Sequence, residues 1–156
     1  MINIGIIGYG KMGQIRHKAI NNFKQCRIID IHDICKSKAL DCGTQFEAKN
    51  PEEIILNKNI DAVFICTPNN LNQPLTIKAL NAGKHVFCEK PPAFNENDVD
   101  EIISIEKKYQ KKLMYGFNHR HHDSVKVIKN SILNKEYGKV LWLRGRYGKS
   151  LSLIHI

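Results

Sequence analysis

The chain has 156 residues, with 24 Lys and Arg against 15 Asp and Glu, a formal charge of +9. At 42% hydrophobic and 25% charged residues it has the composition of an ordinary folded chain, which excludes disorder as its main state, and its length suits one domain of ~150 residues. No apolar run nears the ~20 residues of a membrane span. Met1 leads directly into Ile2–Ile7 with no basic stretch or small-residue cleavage site, so no membrane anchor and no secretory leader is expected. Cys26, Cys35, Cys42, Cys66 and Cys88 form no C-x-x-C pair and no zinc-type spacing, so a reducing cytoplasm and no metal site are expected. The cations are scattered along helical stretches without interleaved aromatics, so their charge bears on solubility and no nucleic-acid partner is expected.

In chain order, Ile2–Ile7 reads as a strand buried on both faces. Met12, Ile15, Ala19 and Phe23 then recur at helical spacing. Arg27–His32 is a second strand, and 36–42 a short helix closed by Gly43. Asn50-Pro51-Glu52-Glu53 starts a helix: Asn caps it, Pro takes the first turn and the acids meet the positive dipole end. Ala62–Cys66 is a third strand, followed by a helix from Pro74 to Ala82 that stops at Gly83. His85–Cys88 is a fourth strand. Asn95 to Asp98 caps a long helix carrying Val99, Ile102, Ile103 and Tyr109 inward. Leu113–Phe117 is a fifth strand, Asp123 opens a helix with Val125, Ile128 and Ile132 on one face, and Val140–Tyr147 is a final strand.

Strand followed by helix, repeated five times, predicts an α/β fold: a doubly wound parallel sheet of Rossmann type. Such sheets bind ligands at the carboxyl ends of their strands, which directs attention to the loops there. The first reads Gly8-Tyr9-Gly10-Lys11-Met12-Gly13, a G-x-G-x-x-G run between strand and helix. Gly8 allows the tight turn, Gly10 lets a pyrophosphate approach the backbone and Gly13 lets helix and sheet close up, so this loop is read as a dinucleotide site. Asp33, 20 residues after Gly13, is placed to accept hydrogen bonds from the ribose hydroxyls. Its charge favours NAD, with NADP left open by Lys36 and Lys38. Cys66-Thr67-Pro68-Asn69 puts hydrogen-bonding groups at the same edge. Glu89-Lys90-Pro91-Pro92 holds a Lys between an acid and two prolines, and its amine can hydrogen-bond a substrate hydroxyl and assist its deprotonation if burial lowers its pKa; an exposed Lys paired with Glu89 is the other reading. Gly116-Phe117-Asn118-His119-Arg120-His121-His122 ends the fifth strand in polar groups. His121 and His122 are adjacent and point apart, which argues against a shared metal.

Taken in order, Gly8-x-Gly10-x-x-Gly13, Cys66-Thr67-Pro68-Asn69, Ala82-Gly83-Lys84-His85-Val86, Glu89-Lys90-Pro91 and Gly116-Phe117-Asn118-His119-Arg120 resemble the Gfo/Idh/MocA family of glucose–fructose oxidoreductase, inositol dehydrogenase and relatives, over nearly all of residues 1–150. The resemblance implies an NAD(P)-dependent oxidoreductase acting on sugars, inositols or sugar derivatives, with a small-molecule partner and a homo-oligomer in the whole protein. It implies that Lys90 is the catalytic-site lysine, that Thr67, Pro68 and Asn69 line the nicotinamide and phosphate side, that Glu89 contacts the cofactor region, and that Asn118 and Arg120 lie toward the substrate. Many members carry a His where Asn72 or its neighbours stand, and no role is carried over to Asn72. The alternative is a non-catalytic dinucleotide sensor of the same fold.

The expected division is a Rossmann domain over 1–118 and the beginning of a substrate and dimerisation domain over 119–150. Family members continue into an open sheet whose helix supplies a D-x-x-x-H pair, so this chain alone is expected to be inactive and to bind NAD weakly. Residues 151–156 depart from the pattern. CTGTCTCTTATACACATC, a transposon end used in sequencing libraries, encodes them, and they are expected to be a non-native tail outside the fold.

Overall fold

The computed structural model describes residues 1–35 and 48–145. The chain divides into two compact units, Met1–Phe117 and a second that begins at Asn118. The first contains β1 (Ile2–Ile7), α1 (Lys11–Asn21), β2 (Cys26–His32), α2 (Pro51–Leu56), β3 (Ala62–Ile65), α3 (Asn69–Asn81), β4 (His85–Cys88), α4 (Glu96–Tyr109) and β5 (Leu113–Tyr115). The strands form one parallel sheet in the order β2-β1-β3-β4-β5. The order reverses between β1 and β3, which opens a crevice at their carboxyl ends.

Side-chain alternation along the strands builds a core on each face. Ile4, Ile6 and Ile31 pack with Tyr9 and Ile20 on the α1 face, flanked by Ala62 and Phe64. Ile7, Val63, Ile65, Val86 and Cys88 pack on the other face against Ile54, Leu75, Ala79, Leu80 and Ile102 of α2, α3 and α4. Continuous apolar strands are what a sheet covered on both sides requires. The caps expected at α2 and α4 form: Asn50 accepts from the Glu53 amide and Asn95 from the Asp98 amide.

Four expectations are corrected among the described residues. Ile15 and Phe23 of the α1 region are exposed, and the buried face is Gly13, His17 and Ile20. Helix α3 begins at Asn69, five positions before Pro74, which lies inside it. Pro74 leaves the Asn70 carbonyl without its helical donor, and Asn70 is exposed, so water can take that bond. Ile103 of α4 is 42% exposed, leaving Ile102 as the buried residue of that helix. Finally, the described part of Val140–Tyr147, residues 140–145, forms no strand. A strand needs a hydrogen-bonded neighbour, and the second unit otherwise holds a 3-10 turn at Asn118–His121 and α5 (Asp123–Leu133). The helix expected over 36–42 and the tail at 151–156 lie outside the described residues.

The Tyr9 hydroxyl and His17 Nδ1 are 2.9 Å apart in the α1-side core. Burial holds the His17 imidazole below its ordinary value of 6.5. The unfolded chain therefore takes up this proton at higher pH than the folded one does, and the stability His17 contributes is lost as pH falls below its unfolded value. Denaturant melts at falling pH should show this loss, and His17→Gln should flatten it. Lys84 is buried with Nζ donating to the carbonyls of Asn57 and Ile60, each at 2.7 Å. Lys84→Met should lower the unfolding free energy by about 2 kcal/mol in the same melts.

Candidate functional site

The loops leaving β1, β3 and β4 are tied side by side at one edge of the sheet. The Gly8 amide donates to His32 O (2.8 Å), Cys66 to Ile7 O (2.7 Å), Glu89 to Ile65 O (2.9 Å) and Gly116 to Cys88 O (2.9 Å). The three glycines of the first loop differ in what they permit. Gly8 has φ +90°, and a Cβ there would lie 2.5 Å from the Cys66 carbonyl oxygen. A Cβ on Gly13 would lie 2.2 Å from the Gly8 carbonyl oxygen, so α1 stands against the β1 exit only because that atom is missing. A Cβ on Gly10 would meet nothing within 4 Å. Gly10 therefore faces open space at the amino end of α1.

At that end Gly10 is the N-cap, without a side-chain capping bond, and the first turn carries no acid. The first intrahelical bond is Gln14 N to Gly10 O, so the amides of Lys11, Met12 and Gly13 have no helical acceptor. Open space, outward N–H groups and the positive dipole end suit an anion, and the residues present fit a dinucleotide's pyrophosphate. Tyr9 is buried in the α1-side core, with its amide 2.5 Å from Asp33 Oδ2. Asp33 Oδ1 accepts from the Cys35 amide at 2.8 Å. The acid at the end of β2 thus braces the glycine loop through Tyr9, and the Tyr9 side chain is support beneath that loop.

Across the crevice, Pro68 is the N-cap of α3 and Asn69 its first residue; both are exposed, and no acid sits in the first turn. Thr67 Oγ1 reaches Asn72 Oδ1 at 3.4 Å. Glu89 is buried, but its partner is not Lys90. Arg16 of α1 donates to Glu89 Oε1 from Nε (2.8 Å) and Nη2 (2.6 Å), and its guanidinium lies over the Phe87 ring. Glu89 Oε2 packs against Gly116, where a Cβ would come within 2.9 Å. Lys90 is exposed, so the burial on which its first reading depended is absent, and the Glu89 pairing of the other reading is taken by Arg16. Burial, reinforced by the Glu89 charge, pushes the Cys66 thiol up to about 12, and burial likewise raises Cys88 to about 12. Both stay thiols at neutral pH, which removes them as nucleophiles.

Gly8 to Gly13, Asp33, Thr67 to Asn69, Glu89 and Lys90 therefore share one edge of the first unit. Asn118 and Arg120 lie in the 3-10 turn that opens the second unit, both exposed. Among the described residues no group of three His, Cys, Asp or Glu is placed to hold a metal. Sequence reasoning passed over Arg16 and Asn72. Arg16 is legible only once the rotation of α1 is known. Asn72 left a signal: with Leu75, Thr76, Ala79 and Leu80 it falls on one helical face, and a polar amide on a buried face needs partners.

The family model described as "Oxidoreductase family, NAD-binding Rossmann fold" matches residues 2–117. The chain is 34% identical over 147 residues to a myo-inositol 2-dehydrogenase of Thermotoga maritima, a match covering 92% of this chain and 44% of that protein. It is 28% identical over 156 residues to a glucose-6-phosphate 3-dehydrogenase of Bacillus subtilis, covering 98% and 44%. The crystal structure of scyllo-inositol dehydrogenase from Lactobacillus casei with bound NAD(H) and scyllo-inositol superposes with TM-score 0.81 at 26% identity, over 88% of this chain and 42% of that one. The chain thus spans less than half the length of these curated relatives.

The three glycines can be told apart by experiment. Gly13→Ala should cost about 1–3 kcal/mol in a denaturant melt, because backbone must move. Gly10→Val should leave stability within about 1 kcal/mol yet fill the space over the α1 amides, abolishing dinucleotide binding by calorimetry.

Proposed function

Since the chain belongs to the Gfo/Idh/MocA oxidoreductase family and carries its NAD-binding Rossmann fold, we propose that it is the dinucleotide-binding part of an NAD-dependent dehydrogenase that moves a hydride between the nicotinamide and a hydroxyl-bearing carbon of a sugar, an inositol or a related polyol. The observation that carries this reading is the amino end of α1, open at Gly10 beside the point where the strand order reverses. The polyol class rests on the named activities of the relatives.

The amides of Lys11, Met12 and Gly13 bind the pyrophosphate. Asp33 faces the ribose of the adenosine half while bracing Tyr9. Asn69 and the amino end of α3 stand at the opposite wall of the crevice. When bound, the nicotinamide supplies the hydride acceptor. Lys90 supplies the proton acceptor: its amine takes the substrate's hydroxyl proton as the carbinol C–H leaves as hydride and a carbonyl forms, and gives it back in the reverse direction. The whole protein divides after residue 118, with 119–150 opening the part that holds the substrate, and Asn118 and Arg120, on the two sides of that division, face it.

Titrating the chain with NADH should raise nicotinamide fluorescence with a half-point below about 1 mM, and NADPH should bind more weakly because its 2′-phosphate meets the Asp33 carboxylate. Asp33→Ser should narrow that difference. A folded chain that leaves NADH fluorescence unchanged at that concentration overturns the reading.

A further inference from the structure

The Lys90 segment is poor in bonds of its own. Pro91 and Pro92 carry no N–H, and among the described residues Lys90, Pro91 and Pro92 take part in no backbone–backbone hydrogen bond. What holds the segment is a side chain from another element. Asn72, in the second turn of α3, has no exposed surface. Its Nδ2 donates to Glu89 O at 3.0 Å and to Pro91 O at 2.8 Å, the carbonyls immediately before and after Lys90. Its Oδ1 lies 3.4 Å from Thr67 Oγ1 in the neighbouring loop.

Resting on the reading of Lys90 as the proton acceptor, we propose that Asn72 is a positioning residue, whose amide spans the two carbonyls flanking Lys90 and fixes where that amine stands. The chemistry selects Asn. One nitrogen with two N–H groups is needed to serve two carbonyls at once. An ionised Asp offers none, Leu leaves both carbonyls unpaired in a dry site, and a neutral imidazole offers a single N–H. Lys90 is exposed and carries rotatable bonds to its amine, so its reach is set by the backbone from which it springs. Displacement of a reacting group by about 1 Å is worth about 10²-fold in rate, so a tether on that backbone acts on the chemistry without touching substrate.

The test uses this chain with lysines 13C-methylated at Nζ, the Lys90 signal being the one lost in Lys90→Arg, and 15N relaxation for the backbone. Without ligand, the Lys90 amide should be as rigid as those of β4, and in Asn72→Leu and Asn72→Asp it should move on the fast timescale while the amides of β1 stay rigid. With NADH, the Lys90 methyls should show a nuclear Overhauser contact to the nicotinamide that falls at least about fivefold in both variants, at NADH affinity within about threefold of the parent. Asn72→His, with one donor, should restore part of it, which a general loss of packing would not. If one substitution prevents folding, the other carries the test. A Lys90 amide that stays rigid, or a nicotinamide contact that persists in the folded variants, overturns the positioning role and leaves the functional reading standing. Parent chain that binds NADH with no Lys90 contact to the nicotinamide overturns the role of Lys90, and the proposal with it.

Discussion

The closure of α1 onto the carbonyl of Gly8 is the contact from which the site follows. A helix that starts four residues after a strand could rotate about its axis to bury any stripe of side chains. Here the absence of a Cβ at Gly13 lets the helix backbone settle on the strand exit, and that settles the rotation. Position 13 must face the sheet, so 17 and 20 follow at helical spacing, and His17 enters the core where the Tyr9 hydroxyl meets it. Arg16, one residue to the side, is turned along the sheet edge toward β4. The same closure leaves the first amides of α1 facing the crevice rather than the core.

Charge at the crevice is arranged so that one acid is silenced and the amino ends of two helices are left clear. Glu89 is buried, and a lone carboxylate at that depth would oppose a pyrophosphate and cost several kcal/mol in desolvation. The guanidinium of Arg16 lies on Glu89 Oε1 with two hydrogen bonds, and its other surface rests on Phe87. Neither α1 nor α3 has an acid in its first turn, in contrast to α2 and α4, whose first turns carry two each. The helices that point at the crevice keep their positive ends free for a ligand. Those that do not are capped by their own sequence.

Much of this was legible in the chain itself. The strand pattern, the caps at Asn50 and Asn95 and the glycine loop are local signals, each satisfied within a few residues. The failures share a cause. The apolar spacing of Ile15 and Phe23 is a helical period, but a period names no direction until something decides which side meets the sheet. Pro74 reads as a helix start, because nothing near it says that Asn72 is already needed two residues earlier to hold the β4 loop. Val140–Tyr147 has the alternation of a strand, and alternation alone provides no neighbour to bond.

By itself the sequence determined the fold class, the place of the glycine loop and the candidate amine at Lys90, since these depend on dihedral freedom, periodicity and chain order. The tertiary structure alone decided the partners. Glu89 lies next to Lys90 in the chain and pairs with Arg16, 73 residues away, while the Lys90 segment is held from Asn72. Such pairings are set by which polar groups lose water together when strands and helices close up. Each must then find a donor or acceptor at the right distance, a condition that separation along the chain does not encode.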